Sequence, residues 1–167
     1  MMAAMKQYDA GLAGRTVLVR ASFEDDVSPR LATLVGALAR AGARVAVIAG
    51  FGDPSNDINP AYSLARFAEP LSVMAGLPVV FIAESVGGGA EAGLDQVGYG
   101  KIALLENLRF HSSRHRDARS FALKLSILGD YFIDAGAPPQ SADGWQSRLG
   151  AILPAPVLPE TEITEEV

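Results

Sequence analysis

Short apolar runs alternate with longer stretches in which apolar residues recur every three or four positions. Residues 17–21 (VLVRA), 44–49 (RVAVIA), 79–83 (VVFIA), 102–105 (IALL) and 131–133 (YFI) read as five strands. Most are apolar at successive positions, the pattern of strands covered on both faces in a parallel sheet. Between the first two, Leu31, Leu34, Val35 and Leu38 share one helical face, with Gly42 placed to end the helix. Leu64, Phe67, Leu71 and Met74 form a second stripe, which Pro70 should kink or shorten. Residues 86–100 carry six glycines and make the weakest helical segment. Ala118, Phe121, Leu125 and Leu128 form another stripe, stopped at Gly129. Trp145 falls in a short irregular stretch, where packing explains it better than ligand stacking does.

Strand and helix in alternation predict an α/β fold: one three-layer, Rossmann-like domain with a doubly wound, mostly parallel sheet over residues 1–153. Residues 154–167 differ in character, with three prolines, four glutamates and no cation, and read as an extended acidic tail. At 167 residues, one core is the expected number.

Composition narrows the chemistry. The chain has no cysteine and two histidines, which excludes disulfides, thiolate metal sites and a three-histidine zinc site. A formal charge of −5 argues against nucleic-acid binding. Residues 1–10 lack the apolar core of a signal peptide, and the apolar stretch 71–83 is too broken to cross a bilayer. The expectation is a cytoplasmic protein without membrane insertion. The Glu24–Asp26 carboxylates read as a solvated turn, so neither metal nor cofactor is expected.

Ligands of open parallel sheets bind beyond the carboxyl ends of the strands. There the sequence places Ser22 and Glu24, Gly50 and Asp53, Glu84 and Ser85, Glu106 to His111, and Asp134. The string LLENLRFH at 104–111 resembles a signature of the phosphoglycerate kinase family. VLVRASF at 17–23, AGFGDP at 49–54, YSLA at 62–65, GLPV at 76–79 and LGD at 128–130 extend the likeness over roughly 14–154. It implies the fold of that family's N-terminal domain, which holds a phosphorylated three-carbon acid while a second domain holds ATP.

Carried over by position, the resemblance implies that Arg20 and Arg109 are retained, and Arg30 stands near an arginine opening the first helix. An aspartate and an asparagine become Ser22 and Glu24, a histidine and an arginine become Gly50 and Asp53, and a basic segment becomes PPQSAD at 138–143. Charge-assisted contacts contribute about 1.5–3 kcal/mol each, so losing three removes roughly 5–9 kcal/mol, or several decades of affinity.

The resemblance with these losses leads to the expectation of a non-catalytic chain: an adaptor, scaffold or regulator that meets a protein partner or a second copy of itself. Its surfaces would be the basic segment containing His111, Arg114, His115, Arg116 and Arg119, and the tail glutamates Glu160, Glu162, Glu165 and Glu166. The alternative is a sensor holding a small anionic metabolite through Arg20, Arg30 and Arg109. A third reading is half of a split phosphoglycerate kinase.

Overall fold

A computed structural model describes residues 11–23, 26–52, 59–110, 118–137 and 144–156. The elements run β1 (Thr16–Arg20), α1 (Pro29–Arg40), β2 (Arg44–Ile48), two 3₁₀ turns (Pro60–Tyr62 and Leu64–Phe67), α2 (Ala68–Ala75) and β3 (Val79–Ile82). They continue with α3 (Gly88–Gln96), β4 (Ile102–Leu105), a 3₁₀ turn (Leu108–Phe110), α4 (Ala118–Ser126), β5 (Tyr131–Asp134) and α5 (Trp145–Ile152). The five strands lie in the order β3-β4-β2-β1-β5, and every pairing is parallel.

Alternation along the buried strands divides the core in two. Val17, Val19, Val45, Val47, Ile102 and Leu104 face α1 and α2, where Leu31, Val35, Leu38 and Leu71 complete one cluster. Leu18, Ala46, Ile48, Ala103 and Leu105 face the other way, onto Leu94 of α3, Phe121 and Leu125 of α4 and Leu149 of α5. Because successive side chains of a strand point to opposite faces, one apolar run serves both layers.

The helices therefore distribute unevenly. β1 and β2 send their following chain to the first face; β3, β4 and β5 send theirs to the second. In sheet order the exits change face twice, between β4 and β2 and again between β1 and β5. Each change opens a crevice at the carboxyl edge, because neighbouring connections part to opposite sides.

Three local expectations change. Trp145 begins α5, rather than lying in an irregular stretch, and its ring meets Phe121 edge-on with centroids 5.7 Å apart. Packing does account for it. Met74 is 44% exposed and leaves the apolar stripe, because the 3₁₀ turn at Leu64–Phe67 shifts the helical phase before α2 begins. Pro70 sits in the first turn of α2, where a missing N–H costs nothing, so it neither kinks nor shortens the helix.

Candidate functional site

The first crevice, between β1 and β5, contains a cavity of 350 Å³ lined by Ser28, Arg30, Leu31, Leu34 and residues Ile133 to Gly136. One wall is the start of α1. Ser28 is its N-cap, but the hydroxyl makes no capping bond; Pro29 follows, and the first turn carries no acidic residue. Among the described residues no side chain caps these first amides, and the positive end of the helix dipole lies beside the cavity together with Arg30. The other wall is the end of β5, where Asp134 is held by Arg20.

Arg20 is 8% exposed, and its Nε lies 2.9 Å from Asp134 Oδ1. The N–H points off the oxygen, so the attraction is chiefly Coulombic. Its guanidinium also donates to the Ala137 carbonyl. Gly136 leaves room here: a Cβ would stand 2.8 Å from both Arg20 Nη1 and Ser22 Oγ and would have to displace them. Arg20 is consumed by the fold, and among the described residues lining the cavity Arg30 is the cation.

The second crevice, between β4 and β2, is built by the string after β4. Asn107 is fully buried and uses all four of its hydrogen-bonding positions. Oδ1 accepts from the amides of Phe51 and Arg109, both at 3.0 Å, while Nδ2 donates to the carbonyls of Phe51 at 2.7 Å and Tyr62 at 3.0 Å. Glu106 works the same way, accepting from Leu64 N and Asn107 N, each at 2.9 Å, and from Ser63 Oγ at 2.8 Å. These two side chains clamp the loop after β2 to the end of β4. Sequence reasoning singled out the string but missed this role. The signal was present: a polar pair enclosed by apolar residues 102–105, Leu108 and Phe110 must be internally satisfied.

Arg109 projects from this clamp, is exposed, and donates to the Gly52 carbonyl at 2.6 Å. Neither Glu106 nor Asp134 pairs with it, because both are engaged elsewhere. It can lie flat because position 50 is glycine; a Cβ there would stand 2.8 Å from Arg109 Nε and 3.1 Å from its Cγ. Gly50→Ala is therefore expected to lift Arg109 off Gly52 at a stability cost within about 1 kcal/mol. Binding of phosphorylated anions should tighten in calorimetry. Unchanged affinity would show that the guanidinium was already available.

The structure thus brings Arg20, Arg30 and Arg109 to one edge of the sheet but not into one pocket. Arg30 serves the first crevice and Arg109 the second, with β1 and β2 between them. Arg119 lies exposed in the first turn of α4, and the other basic and acidic interaction residues, His111, Arg114, His115, Arg116, Glu160, Glu162, Glu165 and Glu166, fall outside the described residues. Among the described residues no helix is long and apolar enough to cross a membrane, and no three acidic or histidine side chains gather as metal ligands would.

Comparison with known proteins gives this edge its context. The family model for phosphoglycerate kinase matches residues 8–136. The phosphoglycerate kinase of Caulobacter vibrioides is 35% identical over 157 residues, covering 87% of this chain and 40% of that protein. That of Clavibacter michiganensis is 38% identical over 140 residues, covering 75% and 34%. The crystal structure of phosphoglycerate kinase from Pyrococcus horikoshii superposes with a TM-score of 0.67 over 87% of this chain and 40% of that one, at 22% identity, a likeness of fold. The chain therefore spans about 40% of the length of the first of these relatives.

These findings correct the expectation of a non-enzyme. The matching family and the curated relatives are named for a kinase activity, and the replacements at Ser22, Glu24, Gly50 and Asp53 do not remove the chain from that group. Side chains at a loop rim change without disturbing the buried frame, so these replacements are compatible with the family's fold. With the signature strings, the parallel sheet and a family match over most of its length, the chain belongs to the phosphoglycerate kinase family, of which it carries the N-terminal domain.

Proposed function

We propose that this domain is the acid-binding half of a phosphoglycerate-kinase-type phosphotransferase, holding a small phosphorylated carboxylate at the carboxyl edge of its sheet. The observation that supports this most is the 350 Å³ cavity between β1 and β5, where Arg30 and the uncapped start of α1 converge while Arg20 neutralises Asp134. A guanidinium and free helix amides together suit a phosphate or carboxylate group. The two crevices lie two strand spacings apart, about 10 Å, a separation that flexible arginines can bridge. One acid with an anionic group at each end can engage Arg30 and, once released from Gly52, Arg109.

In this reading the domain's contribution is to position. Transfer moves a terminal phosphoryl group from a nucleotide to the acid's carboxylate oxygen, with release of the nucleoside diphosphate. The nucleotide belongs to a facing lobe corresponding to the part of the relatives that this chain does not match. Catalysis then comes from fixing the acid in line with the incoming phosphorus, and a rigid five-stranded sheet is suited to that task.

Calorimetric titration with 3-phosphoglycerate tests the reading. Saturable binding is expected, and Arg30→Ala should weaken it about 10- to 100-fold, the equivalent of one lost charge-assisted bond. Transfer should appear when the nucleotide-binding lobe of a relative is added. Absence of binding, or binding indifferent to Arg30, would overturn the assignment.

A further inference from the structure

The chain leaving β1 alternates between buried and exposed positions. Ala21 and Phe23 are buried, and Ser22 between them is exposed. Both neighbours are fixed in place. The Ala21 amide donates to the Ile48 carbonyl at 2.9 Å, and the Phe23 ring stacks on Phe67 with centroids 4.5 Å apart. Successive side chains of an extended segment point to opposite sides, so Ser22 is a short hydroxyl standing outward on a rigid base.

That hydroxyl meets the loop leaving β5, which is tied down at each of its first three amides. The Ala135 amide donates to the Arg20 carbonyl at 2.8 Å, and the Gly136 amide to Asp134 Oδ1 at 3.2 Å. The Ala137 amide donates to Ser22 Oγ at 2.8 Å, while the Ala137 carbonyl accepts from the Arg20 guanidinium. Arg20 and Asp134 also serve their own ion pair, so Ser22 is the side-chain tie that can be cut without disturbing it. Positions 138 and 139 are prolines, which carry no N–H. Ala137 therefore supplies the last amide before residue 140 by which this loop can be held.

The held loop is a wall of the cavity. Ala135 and Gly136 line it together with Ser28 and Arg30 from the start of α1, and Ser22 does not line it. We propose that Ser22 is a positioning residue for the acid site: by fixing the Ala137 amide, it sets the wall formed by Ala135 and Gly136 against Arg30 before any ligand arrives. This role rests on the acid-binding function proposed above. A loose wall must be ordered on binding, and the cost of that ordering is subtracted from affinity; a wall hung on a strand end is ordered beforehand. Serine also suits the place electrostatically, because its hydroxyl accepts from the amide without adding a negative charge beside an anion site.

Two variants separate the tie from the fold. Ser22→Ala removes the acceptor, and Ser22→Thr keeps it in a residue that tolerates extended backbone. Hydrogen exchange at the Ala137 amide reads the tie without ligand, and calorimetry with 3-phosphoglycerate reads the site. In Ser22→Ala the amide is expected to exchange about tenfold faster. The same variant should bind 3-phosphoglycerate about three- to tenfold more weakly. Its urea midpoint should stay close to that of the unaltered protein, because the hydroxyl is exposed. Ser22→Thr should restore both exchange and affinity. Equal affinity in Ser22→Ala and the unaltered protein would overturn this role while leaving the acid-binding reading in place. Weakened binding that threonine does not restore, or that accompanies a large fall in stability, would overturn it by revealing a general disturbance of the fold. No binding to the unaltered protein would remove the acid-binding reading and this role with it.

Discussion

Replacing Asn107 by alanine is expected to cost about 3–5 kcal/mol, the largest effect of any single polar substitution at this edge. All four hydrogen bonds of a fully buried amide are lost, and the Phe51 and Tyr62 carbonyls are left facing a void. For a domain whose net stability is about 5–15 kcal/mol, that is roughly a fifth or more of the total. Asn107→Asp separates chemistry from shape. The replacement is isosteric, but its second oxygen meets the two carbonyls that Nδ2 now serves. The charged form is disfavoured, so the introduced carboxyl titrates above its unfolded value of about 3.9 in the folded state. Its penalty is thus greatest at neutral pH and is relieved as pH falls, whereas the alanine variant shows no such recovery. Urea denaturation of both variants across pH reads this out; a loss below 1 kcal/mol for alanine would mean the clamp is dispensable.

Asp134→Ala is expected to act in opposite directions on stability and on binding. It leaves Arg20 buried without its counter-charge, a loss of about 2–4 kcal/mol after allowance for the partial exposure of the carboxylate. The same change removes one negative charge from the crevice, so phosphorylated anions should bind more tightly to the fraction that remains folded. Denaturation and calorimetry on one preparation distinguish the effects. Removing both charges, in Arg20→Met with Asp134→Leu, should recover most of the stability, because replacing a buried ion pair by apolar groups is often neutral. If the double variant is no better than the single one, the Ala137 carbonyl and not Asp134 is what Arg20 principally serves.

Both predictions concern residues that sequence reasoning treated differently. Asp134 was visible as a rim residue because it ends an apolar strand. Asn107 was visible only as part of a signature string, since nothing local says that an asparagine will bridge to a loop more than forty residues away. Arg109 shows the opposite error. Its retention pointed to a binding residue, and the structure lays it across Gly50 onto a backbone carbonyl. That outcome depends on the absence of a side chain at another position, which no reading of Arg109 itself reveals.

The five strands, the parallel sheet and the principal helices were legible because burial on both faces forces continuous apolar runs, and burial on one forces a helical stripe. Those are local consequences of excluding water, and the chain carries them residue by residue. Helix phase after the 3₁₀ turn, the helical state of Trp145–Ile152 and the pairing of Arg20 with Asp134 were settled by packing between segments distant in sequence. So was the division of the carboxyl edge into two crevices, which depends on the sheet face chosen by each connection. Tertiary structure alone fixes that choice, because each strand is apolar towards both sides and expresses no preference of its own.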